Sequence, residues 1–480
     1  MAVHAQPPIH AWSLEAPPIA PDRRSVFEVI DARARRLGAA SLTCDDKTPI
    51  IATGHQAWLW HPGILAKYLA MAAAKRQRAA SLHVVVDHDV HEAMRLELPV
   101  LDGDRLHVET LTLAQYDAAV PTGSQPPVDL RMVNDALDDV RARLGDCLAV
   151  DVTQLRDAWA DLPDATTLAE QIAMVLDRLM RPYVGRSIPA LFSSDLAKLP
   201  RFQTLVQHML EDARQCAAAY NAAARRYPAA RIAPLLVEPN RVELPLWRLA
   251  WRRPRRRVFA DLGGPSPVLV LDDGSAMGPT VDSLAPRAML LTAFMRSQVC
   301  DLFIHGTGGG VYEQVTEAWW QAWTGQRLAP MAVVSADLHL QFDAPVADGG
   351  ELSRAVWWAH HLPHNLDRLP QLDAGAAKRA RRKAVLLASM DDDRDHRRRR
   401  VAFDEIHAIN RELAKLHPEP IAEASRQVDR ARAGLANRSV AAKRDWCFGL
   451  YPGDQLAELS AQIDGAAMGS QPGRPPHPVQ

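Results

Sequence analysis

Between residue 48 and about residue 200, short β-rich runs alternate with segments of helical spacing. Strands are expected at 49–53, 82–87 and 188–193, and helices at 62–78, 130–144 and 167–181. Such alternation builds a parallel sheet whose strands are joined by crossover helices. The pattern resumes with strands at 267–271, 300–305 and 331–335 and helices over about 285–297 and 311–324. Between the two stretches, 202–227 reads as one long alanine-rich helix. The runs 232–237, 242–250 and 257–261, with their basic turns, read as antiparallel, so an insertion is expected over about 202–262. The fold class is therefore α/β, a mostly parallel core over 41–375 carrying an antiparallel insertion. In the N-terminal segment 1–40, the Pro-rich first 24 residues are expected to lie over the surface, and a helix follows from Ser25 to Leu37.

From 376 to 445 the composition shifts to Ala, Arg, Glu, Asp and Lys. Ile406, Ile409, Leu413 and Leu416 step by 3, 4 and 3, and Ile421, Ala424, Val428, Ala431 and Leu435 by 3, 4, 3 and 4. That is a/d spacing on two helices, broken at His417-Pro418-Glu419-Pro420. It reads as an antiparallel C-terminal helical hairpin of coiled-coil type. Residues 446–464 form a return segment. Residues 465–480 carry Gly, Ser and Pro without an apolar pattern and read as a disordered tail.

The 480 residues include 56 basic and 57 acidic ones, so bulk charge gives no support to a nucleic-acid or other polyanion partner. The Arg-rich runs at 252–257 and 397–400 read as solvated faces. Five cysteines occur, Cys44, Cys147, Cys216, Cys300 and Cys447, with no CxxC pair. An odd number in so long a chain argues for a reducing, cytoplasmic setting. There is no signal-like apolar region and no run of about 20 apolar residues, so no membrane association is expected.

Three strand-end loops carry the chemistry. The first is Thr53-Gly54-His55-Gln56, running to His61-Pro62-Gly63 at a helix start. Backbone N–H groups there favour anions, Gly54 permits close approach, and His55, Gln56 and His61 add side-chain donors. The second is Val86-Asp87-His88-Asp89, at the end of an apolar run. Its carboxylates and imidazole could bind an amine or act as a base. A metal is not expected, because consecutive side chains on extended backbone diverge. The third is Gly306-Thr307-Gly308-Gly309-Gly310-Val311-Tyr312, a glycine-rich loop read as an anion nest that ends in a helix at 311. It lacks the GK[ST] of a P-loop. Trp58 and Trp60 flank the first loop as candidate pocket residues, whereas Trp319, Trp320, Trp323, Trp357 and Trp358 read as core or interface.

In this order the three loops resemble the bacillithiol biosynthesis cysteine-adding enzyme family. That family has a TGQQ loop, a strand ending in EDHD, and a GGPGE-and-aromatic loop. His55 stands here for a glutamine, Val86 for a glutamate, and Gly309 for a glutamate. Arg287 looks like the family's arginine before a helix, Lys67 is the nearest candidate for its helix lysine, and Arg444 to Pro452 loosely resembles its closing motif. The resemblance covers about 45–340 in scattered blocks, with 376–445 falling where the family has its coiled coil. It implies a Rossmann-like core, a helical arm that pairs protomers into a homodimer, and amide formation between cysteine and the amine of glucosaminyl malate.

The expected function is thus a ligase-like enzyme forming a carbon–nitrogen bond on a small-molecule substrate, with ATP or another nucleotide as a possible activator. Asp87, His88, Asp89 and His55 are its catalytic candidates. Thr53, Gly54, Gln56, His61, Gly306, Gly308, Gly309, Gly310, Tyr312 and Arg287 are its binding candidates. The alternatives are another small-molecule ligase or transferase on this scaffold, and a non-catalytic nucleotide- or anion-binding assembly protein.

Overall fold

The computed structural model describes all residues except 15–22, 43–44, 46, 75–78, 145–149, 151, 278–280, 282, 371–372, 393 and 470–480. Cys44, Cys147 and most of the expected tail lie outside the described residues. The chain divides into two compact units. The first comprises Met1–Leu98, Thr110–Leu340 and Arg444–Gln480, and the second Pro99–Glu109 and Gln341–Lys443.

In chain order the elements begin with β1 (Ala2–Gln6), α1 (Arg23–Leu37), β2 (Ile50–Gln56), α2 (Pro62–Ala73) and β3 (Ala80–Val86). A hairpin follows, β4 (Arg95–Asp102) and β5 (Arg105–Thr112), then α3 (Leu130–Leu144), α4 (Thr153–Trp159), α5 (Leu168–Val184) and β6 (Ala190–Phe192). Next are α6 (Pro200–Glu211), α7 (Ala213–Arg226), β7 (Arg241–Ala250), β8 (Arg253–Asp261), β9 (Val268–Leu271) and β10 (Leu284–Pro286). The chain continues through α8 (Ala288–Gln298), β11 (Leu302–His305), α9 (Thr307–Thr324) and β12 (Met331–Asp337). The second unit holds α10 (Gly349–His361), α11 (Ala374–Asp392), α12 (His396–Leu416) and α13 (Pro418–Ala441). Finally, α14 (Gly453–Ala467) belongs to the first unit, so 465–467 are helical rather than tail.

Six strands form the main sheet in the order β1-β12-β11-β2-β3-β6. All pairs are parallel except β1 with β12. The apolar runs Ile50–Ala52 and Leu82–Val85 are almost wholly buried, as expected of strands covered on both faces. Chain order runs from β2 outward to β3 and β6, then returns to β11 and β12 on the other side, so it reverses between β2 and β11. The register sets Thr53 beside Ile304 and Gln56 beside Val86, which aligns the carboxyl ends of the three central strands.

Four expectations need correction in this unit. Residues 2–6 do not lie loosely over the surface; they pair with β12 as the sheet's antiparallel edge, with His4 bonded to Asp337 at 2.9 Å. The long helix over 202–227 breaks at Asp212, whose backbone leaves helical geometry and whose carboxylate accepts Trp323 Nε1–H at 2.9 Å. Residues 268–271 do not resume the parallel sheet. They complete a second, antiparallel sheet in the order β10-β7-β8-β9. Residues 232–237 form no strand beyond an isolated bridge from Val237 to Val242.

In the second unit the helix break falls at His417, as the prolines require. Of the apolar series, Ile406, Ile409, Leu413, Ala424 and Val428 are buried while Leu416 and Leu435 are exposed. α12 packs mainly on α11 rather than in the expected hairpin, with Ala424 the only buried residue of α13 in the same cluster. Ile406, Ile409 and Leu413 of α12 pack with Ala376 and Leu386 of α11, and Arg379–Glu412 and Arg382–Glu405 pairs flank that contact. α13 lies chiefly on α10. Asn437 is fully buried and clamps this unit: its Oδ1 accepts from Leu106 N, and its Nδ2 donates to Asp104 O and Pro345 O. Trp357 and Trp358 are exposed rather than core.

Candidate functional site

A cavity of about 550 Å³ opens at the carboxyl ends of β2, β3 and β11, where the strand order reverses. Open α/β sheets bind ligands at this position. All the catalytic and binding candidates line it except Thr53, Asp87 and Gly310.

The first wall is the end of β2 and the start of α2. Thr53 turns away and donates to Ile304 O at 2.8 Å, which ties β2 to β11. Gly54 is required by packing, because a Cβ there would lie 2.7 Å from Val84 O. His61 caps α2, its Nδ1 accepting Gly63 N–H at 3.1 Å. Trp58 and Trp60 do not line the cavity; they buttress it. Trp58 Nε1 donates to His55 Nδ1 at 3.2 Å, and Trp60 Nε1 to Gln56 O at 2.9 Å. Burial, reinforced by nearby Lys67 and His61, drives the His55 pKa far down, so this imidazole is neutral. Lys67 lies behind it. Its Nζ donates to Gly54 O at 2.7 Å, and burial lowers its pKa to about 7.

The second wall is the end of β3. Asp87 belongs to the scaffold behind the cavity. Its carboxylate accepts from Ser193 Oγ, Ser194 N and Ser194 Oγ at 2.8, 2.9 and 2.5 Å, joining β3 to the turn after β6. Asp87 turns away, whereas the consecutive His88 and Asp89 both line the cavity, because β3 ends at Val86 and the chain bends at His88 instead of continuing extended. His88 Nδ1 is 2.6 Å from Ser193 Oγ. Asp89 accepts from Gln56 Nε2 at 3.1 Å and pairs with Arg255 Nη1 at 2.7 Å. Burial works against its ionisation, but Arg255 and Gln56 outweigh burial and leave its pKa lowered.

The third wall is made by two more helix starts. Residues 306–309 are not an irregular nest. Gly306 is the N-cap of α9, and the following glycines form its first turn with no side-chain cap, so backbone donors are left for a ligand. Gly310 faces Val333, where a Cβ would meet Cγ2 at 2.6 Å. Arg287 is the N-cap of α8, also without a side-chain cap, and donates to Glu243 at 2.6 Å. Arg255 does not lie on a solvated face; it turns inward. The guanidinium carbons of Arg255 and Arg287 lie 4.2 and 4.3 Å from the Trp247 ring centre. Tyr312 and the buried His305 complete this side. Behind them, buried Glu313 takes Arg296 Nη1 at 2.5 Å and Thr292 Oγ1 at 2.6 Å.

Three helix N-termini, Arg255, Arg287 and Lys67 thus meet a single wall carboxylate among the described residues, Asp89, which is already paired. That arrangement suits an anionic ligand. Sequence reading missed Arg255, Trp247, Ser193, Thr307 and Ser335. The first three depend on tertiary approach by distant segments. The Arg-rich run 252–257 contains Arg255 but reads in sequence as a solvated face. Among the described residues, no cluster of His, Cys, Asp and Glu has a metal-holding arrangement, and no helix is long and apolar enough to cross a membrane. No family model matches the sequence, and no curated protein is significantly similar to it.

Proposed function

We propose that the chain is a ligase-like enzyme that forms an amide between an amino-acid carboxyl group and the amine of an anionic acceptor. One observation carries this reading. Uncapped helix starts and two arginines converge on a cavity that also presents neutral imidazoles, at the reversal point of a parallel sheet. The helix starts suit the phosphates of an activating nucleotide, and Arg255 and Arg287 suit an acceptor's carboxylates. The strand order supports a Rossmann-like reading of the core. With an acyl phosphate or adenylate as the activated carboxyl, the amine nitrogen bonds to the acyl carbon, the bond to the phosphoryl oxygen breaks, and the amine proton passes to His88.

Cysteine and glucosaminyl malate are the first substrates to test, on the motif resemblance. Calorimetric titration with ATP, cysteine and amino-sugar malates should show binding by at least one of them. No binding by any at millimolar concentration would sink the proposal. A second reading, a different ligase or transferase, is favoured by Asp89: as a paired, lone wall carboxylate it offers little to an ammonium group. A metabolite screen that returned another anionic amine would decide for it. Exposed apolar side chains of the helical unit, among them Trp357, Val385, Val401 and Phe403, further suggest self-association, which sedimentation at micromolar concentration would test.

A further inference from the structure

A buried hydrogen-bonded chain ends on the cavity wall. It runs from the Asp87 carboxylate through the Ser193 hydroxyl to the His88 imidazole, whose residues are 2%, 0% and 3% exposed. Ser193 Oγ lies 2.8 Å from Asp87 Oδ1 and 2.6 Å from His88 Nδ1, and it accepts Asp87 N–H at 3.2 Å. A hydroxyl has one proton to give. The carboxylate also takes Ser194 N–H and the Ser194 hydroxyl, so donors surround it and the ionised form is the one that fits. Ser193 therefore gives its proton to Asp87 and receives one from His88 Nδ1.

We propose that Asp87 and Ser193 are positioning residues that lock His88 as its Nδ1–H tautomer, presenting a bare Nε2 to the cavity as the acceptor for a ligand's N–H or O–H. Its catalytic use rests on reading the cavity as the active site. Burial keeps the His88 imidazole neutral. The charged groups beside it are Asp89 and Arg255, and Arg255 Nη1 also donates to His88 O at 3.2 Å, fixing the backbone there. When a ligand amine is deprotonated, its N–H bond breaks, the electron pair stays on the amine nitrogen, and an Nε2–H bond forms. The resulting imidazolium faces Asp87 through Ser193. Serine sits in the middle of this chain with its proton turned away from the cavity, so Ser193 is not a nucleophile.

Histidine-selective 15N labelling and long-range 1H–15N correlation at pH 7.5 read the tautomer directly, with the His88 signal assigned by its loss in His88→Gln. The wild type is expected to show Nδ1–H. In Asp87→Asn the amide oxygen stays where it accepts Ser194 N–H and still takes the Ser193 hydroxyl, so the informative variant is Ser193→Ala, in which Nδ1–H loses its acceptor and the preference for that tautomer should be lost. An Nε2–H signal in the wild type overturns the proposal, as does an unchanged Nδ1–H tautomer in a folded Ser193→Ala protein. The wild-type measurement needs no variant, so misfolding cannot leave the question open. Failure of the ATP, cysteine and amino-sugar titrations would remove the ligase reading without touching the tautomer, so the two can fail separately.

Discussion

Lys67 Nζ donates to Gly54 O at 2.7 Å, and among the described residues no carboxylate lies within ion-pairing distance of it. Burial lowers its pKa from 10.5 to about 7. Between those values the unfolded chain holds a proton that the folded chain lacks. Stability therefore rises with pH across this window and is lowest below about pH 7. Replacing Lys67 with Met should stabilise the fold at pH 7 by roughly 3 kcal/mol, after allowing for the lost hydrogen bond. The advantage should shrink toward pH 10. Paired thermal melts across that range would test this; a constant difference would contradict it.

The glycines of the site should divide by what surrounds them. Gly54→Ala forces a methyl against the Val84 backbone at 2.7 Å and should cost about 2–3 kcal/mol. Gly308→Ala meets nothing within 4 Å and should be neutral or gain up to about 1 kcal/mol in α9. Urea denaturation of the two variants would show equal effects only if the strand contact were wrong.

Arg296 and Glu313 form a pair that is 1% and 0% exposed. Glu313→Ala removes the buried one of the two carboxylates on Arg296, leaving Glu317 on the other nitrogen, and should destabilise by about 2–3 kcal/mol. Glu313→Gln keeps an acceptor for Thr292 and should cost less. Equal losses in chemical denaturation would mean that the charge contributes nothing.

Asp89 holds Arg255 at 2.7 Å and competes with any anionic ligand for it. Asp89→Asn should tighten binding of ATP or inorganic phosphate by about fivefold, near 1 kcal/mol. Arg255→Ala should weaken it and flatten its salt dependence. Isothermal titration at two ionic strengths separates these outcomes.

The central strands were legible because parallel strands buried on both faces leave continuous apolar runs, as at Ile50–Ala52 and Val84–Val85. The break at His417 was legible because proline admits few backbone geometries. Which side chains face the cavity was less so. Asp87 and Asp89 read alike in sequence, and only the approach of Ser193 and Arg255 separates a scaffold carboxylate from a wall carboxylate. The direction of Arg255 was hidden for the same reason, since an Arg-rich turn reads identically whether its partner is water or Asp89. The pairing of α12 with α11 rather than α13 was not encoded in the a/d spacing, which marks a buried face but names no partner.

The antiparallel edge strand has a bearing on how the fold is reached. His4 aligns with Ser335, and Gln6 with Val333, across more than three hundred residues of chain. Contacts of such separation are slow to close. Until 333–337 are in place, residues 2–6 have no strand to join and β12 keeps an open side. An open strand side is where a second chain can add itself. β12 thus gains its second neighbour, and the sheet its final edge, only in a late step of folding, and a fusion that crowds residues 2–6 would delay that step.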